Sequence, residues 1–224
     1  MPRTAEDGGG LCFSHSGRGS LHGMERADSL TIDPHKWLFQ SHDIGALLTP
    51  HRKILHSVFS DRPEYYVAGD NDEPLHWYQW GVEGTRRCRG LKLWLSWKHL
   101  GTDGLGKLVD YGCEMAHQLA GRLEAAGDFE VHPSLPELSV VTFRHAPAGV
   151  PERALDRYQL ALQRRLEASG HVWVSMTKLK GRPFLRAGLL NYFTTVETLE
   201  ELIRLCRAKS AGAISEALGL DRNP

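Results

Sequence analysis

Chemistry in this chain is concentrated on one amine. The stretch Leu30-Thr31-Ile32-Asp33-Pro34-His35-Lys36-Trp37 places a single lysine just after a short alternating strand and a Pro-His turn. Leu30 and Ile32 fall on one face of that strand, Thr31 and Asp33 on the other. An amine held there and partly shielded from water has its charged form penalised. A neutral amine is the form that makes a Schiff base with an aldehyde. For a lysine in general, the ordinary reading is a strand-end residue paired with a carboxylate. Other chemistries have weaker support. None of the 12 histidines falls in an HExxH or HxxxH pattern, and Cys12, Cys88, Cys113 and Cys206 form no CxxC pair. Metal is therefore not expected, and free thiols suit a reducing compartment.

The lysine needs a frame, and the sequence outlines one. Strands are expected at 30–32 and 44–48. Residues 60–85 are dense in Asp, Pro, Tyr, Trp and Gly and predict a long irregular loop. From Thr85 to about Leu123 the pattern is helical, with a break expected among Gly101, Gly104 and Gly106. Beyond Pro136, strands are expected at 138–143, 171–176 and 184–190. Residues 152–169 predict an amphipathic helix whose apolar stripe is Leu155, Tyr158, Leu162 and Leu166. Thr194-x-x-Glu197 predicts a capping box that opens a last helix. That order describes a small α+β domain at 101–224, following a first part at 1–100.

Composition narrows the function classes. Lys+Arg 27 balance Asp+Glu 27, so no general electrostatic pull toward nucleic acid or an anionic membrane is expected. The local cluster Arg86, Arg87, Arg89 and Lys92 could form a nucleic-acid patch on charge alone, but it is short and flanked by apolar residues. No apolar run reaches the roughly 20 residues of a membrane span, and the first residues lack an apolar signal core. A cytoplasmic protein with no membrane partner is expected.

Ala27-Asp28-Ser29 followed by Asp33-Pro34-His35-Lys36-Trp37 resembles the cofactor-lysine segment of the group II pyridoxal-phosphate-dependent amino acid decarboxylases. The resemblance continues through Asp43-Ile44-Gly45-Ala46-Leu47-Leu48, the block from His76 to Trp94, and Arg186 to Thr195. It implies a fold-type-I α/β architecture: a mainly parallel large-domain sheet to which residues 1–100 belong, a small C-terminal domain and an active site at a homodimer interface. It implies pyridoxal 5'-phosphate as cofactor and an L-amino acid as substrate, converted to its amine and CO2. By the same resemblance Lys36 carries the cofactor, and His35 and Asp33 lie near its phosphate. Tyr65 matches a mobile-loop tyrosine that donates a proton; its alternative is an exposed loop aromatic. An arginine of the 86–89 cluster is implied near the cofactor or the subunit interface.

The chain also departs from that pattern. Many relatives have Asn in place of Asp33, and aromatic-substrate relatives have Phe in place of His42. Phe193 stands where the family has Arg. Aligning on Gly8-Gly9-Gly10 puts Thr4 where the family's ring-nitrogen aspartate belongs and Asp7 where its Tyr belongs. A neutral threonine would not keep the ring nitrogen protonated. The expectation is a C-terminal portion of a decarboxylase with impaired activity. The alternative is a non-catalytic remnant that keeps the dimer-forming surface.

Overall fold

The computed structural model describes residues 2–4 (by their backbone), 9–60 and 77–220. The chain divides into two compact units, Met1–Phe13 with Arg18–Leu105, and Ser14–Gly17 with Gly106–Pro224. Ser14 and Ser16 leave the first unit because their hydroxyls donate to the Asp110 carboxylate at 2.5 and 2.9 Å.

The first unit is built on a three-stranded sheet. Strands β1 (Pro2–Thr4), β2 (Ser29–Ile32) and β3 (Ala46–Leu48) lie in that order. β1 runs parallel to β2, with Thr4 opposite Thr31; β3 runs antiparallel, with Leu48 opposite Leu30. The expected strand at 44–48 loses its first two residues: Ile44 is buried, and its carbonyl accepts a side-chain bond from His35 instead of a ladder bond. Helix α1 (Arg52–Phe59), not expected from the sequence, follows the sheet. Helix α2 (Gly90–Ala126) starts five residues later than the pattern suggested. Gly101 interrupts it at φ 71°, a left-handed conformation that costs glycine least, as the Gly101–Gly106 spacing predicted. Phe13, Leu38, Leu105 and Leu93 make a small core here, with Trp97 edge-on to Phe13 at 4.9 Å.

The second unit combines one sheet with helices, its elements displaced from the expected positions. Strands β4 (Phe129–Val131), β5 (Val140–His145), β6 (Ser175–Leu179) and β7 (Arg182–Gly188) form one antiparallel sheet in the order β4-β5-β7-β6. Strands expected at 171–176 and 184–190 move toward each other because Lys180 and Gly181 form the hairpin turn. Both have positive φ, 50° and 82°, as a two-residue turn matched to strand twist demands. Helix α3 (Glu152–Ala168) carries the expected stripe: Leu155, Tyr158, Leu162 and Leu166 are all buried. Helix α4 (Val196–Ala208) has its capping box one residue later than expected, with Thr195 and Thr198 as the pair. Thr194 is spent on the preceding turn, its N–H donating to the Asn191 carbonyl at 3.0 Å. A further helix, α5 (Ser210–Leu218), ends at Gly219 in the left-handed region, a common helix stop.

Candidate active site

The lysine segment is a pair of consecutive turns. Asp33 occupies the first corner of the first turn and Pro34 the second, the positions each favours. The Lys36 N–H closes the turn onto the Asp33 carbonyl at 3.0 Å. The next turn closes with the Phe39 N–H on the Lys36 carbonyl at 3.2 Å, and Phe39 takes φ 56°. A non-glycine residue there is strained and persists only where its surroundings hold it. Trp37 is the anchor, 3% exposed. The backbone of Gly10 lies so close to it that a Cβ on Gly10 would sit 2.5 Å from Trp37 Cβ. Gly9 lies close on the Ile32 side chain, where a Cβ would sit 2.9 Å from Ile32 Cγ2. Ile32 of β2 is thus covered by Gly9, while the strand alternation sends Thr31 to the other face.

Around the turn, Lys36 meets Asp33 and His35 meets His42. Lys36 Nζ lies 3.0 Å from the Asp33 carboxylate, both side chains about one-quarter exposed at 26%. The sequence suggested a shielded neutral amine; the geometry is an ion pair, because the Asp-Pro turn brings positions three apart face to face. His35 Nδ1 donates to the Ile44 carbonyl at 3.0 Å, and a carbonyl can only accept, so that nitrogen carries the proton. Its ring stacks on His42 at 4.8 Å between centroids. Thr31 Oγ1 is buried without a hydrogen-bond partner among the described residues. Tyr65 and Asp7 lie outside the described residues.

The basic cluster has a local use that its charge alone did not reveal. Lys92 Nζ donates to the Ser41 and His42 carbonyls at 2.9 and 2.8 Å. Arg89 grips Glu83 through both terminal nitrogens and Asp43 through Nε at 2.9 Å. Arg86 lies over the Trp77 ring at 4.8 Å. Arg89 and Lys92 therefore tie down residues 41–43, directly after the lysine turns. No spacing rule links Lys92 to a loop 50 residues earlier, so sequence reasoning had no signal for this clamp.

Known proteins give the context for this geometry. Over 95% of its length the chain superposes on 44% of Oryza sativa TDC, solved with PLP and tryptamine, with a TM-score of 0.85 and 26% identity. Mouse CSAD in apo form matches in fold with a TM-score of 0.82 over 92% of this chain and 45% of that one, at 24% identity. The architecture is fold-type I, that of pyridoxal-phosphate enzymes. Residues 4–146 match the pyridoxal-dependent decarboxylase conserved domain. Across 199 residues the chain is 33% identical to an aromatic-L-amino-acid decarboxylase of Bacillus atrophaeus, covering 88% of this chain and 41% of that protein. It is 30% identical over 207 residues to an L-2,4-diaminobutyrate decarboxylase of Rhizobium meliloti (strain 1021), covering 91% and 41%. The chain belongs to the pyridoxal-dependent decarboxylase family, whose cofactor is pyridoxal 5'-phosphate, and it spans about two fifths of the length of these curated relatives.

Proposed function

We propose that this chain supplies the cofactor-lysine part of an enzyme that decarboxylates an L-amino acid, working as a cytoplasmic homodimer. The observation that carries this reading is Lys36 at the closing corner of the Asp33–Lys36 turn, within the 4–146 family match. The residues fit the lysine end of the cofactor. Lys36 presents a partly exposed amine, and the Thr31 hydroxyl of β2 is a buried polar atom that a polar ligand would satisfy. Bound there, the cofactor supplies a ring that takes up the electron pair released when the carboxylate leaves as CO2. The chain's own residues do the positioning. Lys36 would hold the group through its Nζ, and Trp37 would fix the lysine backbone against Gly10. His35, its Nδ1 spent on Ile44, would present a ring of fixed orientation beside it. Tyr65 is proposed as proton donor. The cytoplasmic assignment draws support from four free cysteines.

A second reading, a domain that keeps the fold without productive cofactor use, is favoured by one placement. Thr4 stands opposite Thr31 in β1, the position the family resemblance reserves for an acid. One experiment separates the two readings. Borohydride reduction after adding pyridoxal phosphate, followed by peptide mapping, should put the label on Lys36. Amine release from amino acids, assayed in a separate unreduced preparation with pyridoxal phosphate, tests catalysis. Label mainly on Lys53 or Lys92 would overturn the assignment of Lys36. Label on Lys36 without amine release would favour the second reading.

A further inference from the structure

We infer that Asp33 is a positioning residue that holds Lys36 as its ammonium and so sets the pH above which this amine can react. The inference deepens the reading of Lys36 as the cofactor lysine and rests on it for its biological meaning, though not for its test. Its ground is geometric. The turn from Asp33 to Lys36 is closed by a 3.0 Å backbone bond, with Pro34 at its second corner removing a rotational freedom, so the two side chains emerge from one rigid corner. Their charged atoms meet at 3.0 Å. Aldehyde capture needs the nitrogen lone pair: the ammonium first gives up a proton to solvent, and the carbon–nitrogen bond then forms. The carbonyl oxygen takes the two remaining amine protons and leaves as water. A carboxylate beside the ammonium opposes the first of these events.

The charged and titratable groups around this turn have their own engagements. His35 is bonded to the Ile44 carbonyl and stacked on His42. Asp43 is held by Arg89, with Arg87 at 3.7 Å. Lys92 is bonded to the Ser41 and His42 carbonyls, and Asp28, at the entry to β2, faces His51 at 3.4 Å. Among the described residues, Asp33 is a carboxylate placed to act directly on Lys36, at 3.0 Å. It would let the protein keep the amine as an ammonium until the pH or an incoming anion loosens the pair.

The test uses the whole chain without cofactor and a small probe, limiting acetic anhydride, which acylates only unprotonated amines. The fraction of Lys36 acetylated is followed against pH by mass spectrometry, with Lys53 and Lys107 as internal controls. In Asp33→Asn the Lys36 midpoint should fall by about one pH unit, a roughly tenfold gain in reactivity at fixed pH, while the controls stay put. In the unmutated chain, raising the salt to about 1 M should move the Lys36 midpoint the same way, since screening weakens a quarter-exposed pair. That arm stands even if the variant folds poorly. An unchanged Lys36 midpoint in both arms, or equal shifts in the control lysines, would overturn the inference. If the cofactor reading alone is wrong, the labelling shift persists while pyridoxal phosphate gives no protein-bound absorbance. If only the Asp33 inference is wrong, that absorbance forms and the labelling profile is flat.

Discussion

At the scale of single residues, the lysine corner depends on how closely backbone and side chain approach. Gly10 is not left-handed; it is glycine because Trp37 leaves no room for a Cβ. Gly10→Ala should therefore destabilise the first unit by about 1–3 kcal/mol through overpacking. It should also loosen Trp37, seen as a red shift of tryptophan emission and a lower thermal midpoint; an unaltered midpoint would show that the segment yields freely. In the second unit, Leu162 is completely buried in the core that α3 shares with the sheet. Leu162→Ala should lower unfolding free energy by about 2–5 kcal/mol, the range for a leucine whose cavity cannot collapse, as read from urea midpoints.

Elements of the second unit are joined by a buried polar chain that no local pattern announces. His145, on β5 and 1% exposed, bonds Tyr158 of α3 through Nδ1 at 2.6 Å and approaches Asp128 through Nε2 at 3.3 Å. Arg207 of α4 grips both oxygens of Asp128 at 2.8 and 2.7 Å, and Tyr158 donates to Ser210 of α5 at 3.0 Å. Burial holds His145 below its ordinary 6.5, with Asp128 only partly offsetting it. The Arg207 guanidinium, and then His145, hold Asp128 below its ordinary 3.8. Both folded values are depressed, so each group contributes stability that is complete above its unfolded value and lost as the pH falls through the folded one. The second unit should thus begin to weaken as the pH drops below about 6.5, with the Asp128 share lost only below about 3.8. Urea midpoints at pH 7.5 and 5.5 should show the first loss, and His145→Gln should remove most of it. A midpoint that is flat over that interval would exclude the histidine as its source.

For the molecule as a whole, the two units differ in how much they bury. The second holds nearly all the large core, whereas the first leaves Leu47, Leu48, Ile54, Val58, Leu91, Trp94 and Leu95 exposed. Exposed apolar side chains in that number favour association. The isolated chain is expected to self-associate. Hydrogen exchange should be slow in β5, α3 and β7 and fast through residues 9–60. A monodisperse monomer in light scattering, with even protection across both units, would contradict this. Thiols offer an independent readout. Burial pushes Cys113 up to about 11 and Cys206 up to about 12, while Cys88 is exposed. A thiol reagent should therefore modify Cys88 at once and Cys206 only when the second unit opens; immediate modification of Cys206 would refute the packed core.

Features set by neighbours along the chain could be read from the sequence. The Asp33-Pro34-His35-Lys36 turn, the strand before it, the Gly101 interruption of α2 and the α3 stripe all arise from contacts within about four residues, where residue type and spacing carry the information. Family membership was legible for the same reason, since its motif is a contiguous turn. Small displacements come from turn chemistry: Lys180-Gly181 draws β6 and β7 together, and Asn191 takes Thr194 out of the cap. What only the tertiary structure decided are encounters between residues far apart in sequence. Ser14 meets Asp110, Lys92 closes over Ser41, and His145 joins Asp128, Tyr158 and, through Tyr158, Ser210. Even the state of Lys36 belongs there in part: its position and its pairing with Asp33 follow from the local turn, but its partial exposure is set by how the surrounding chain packs around that turn.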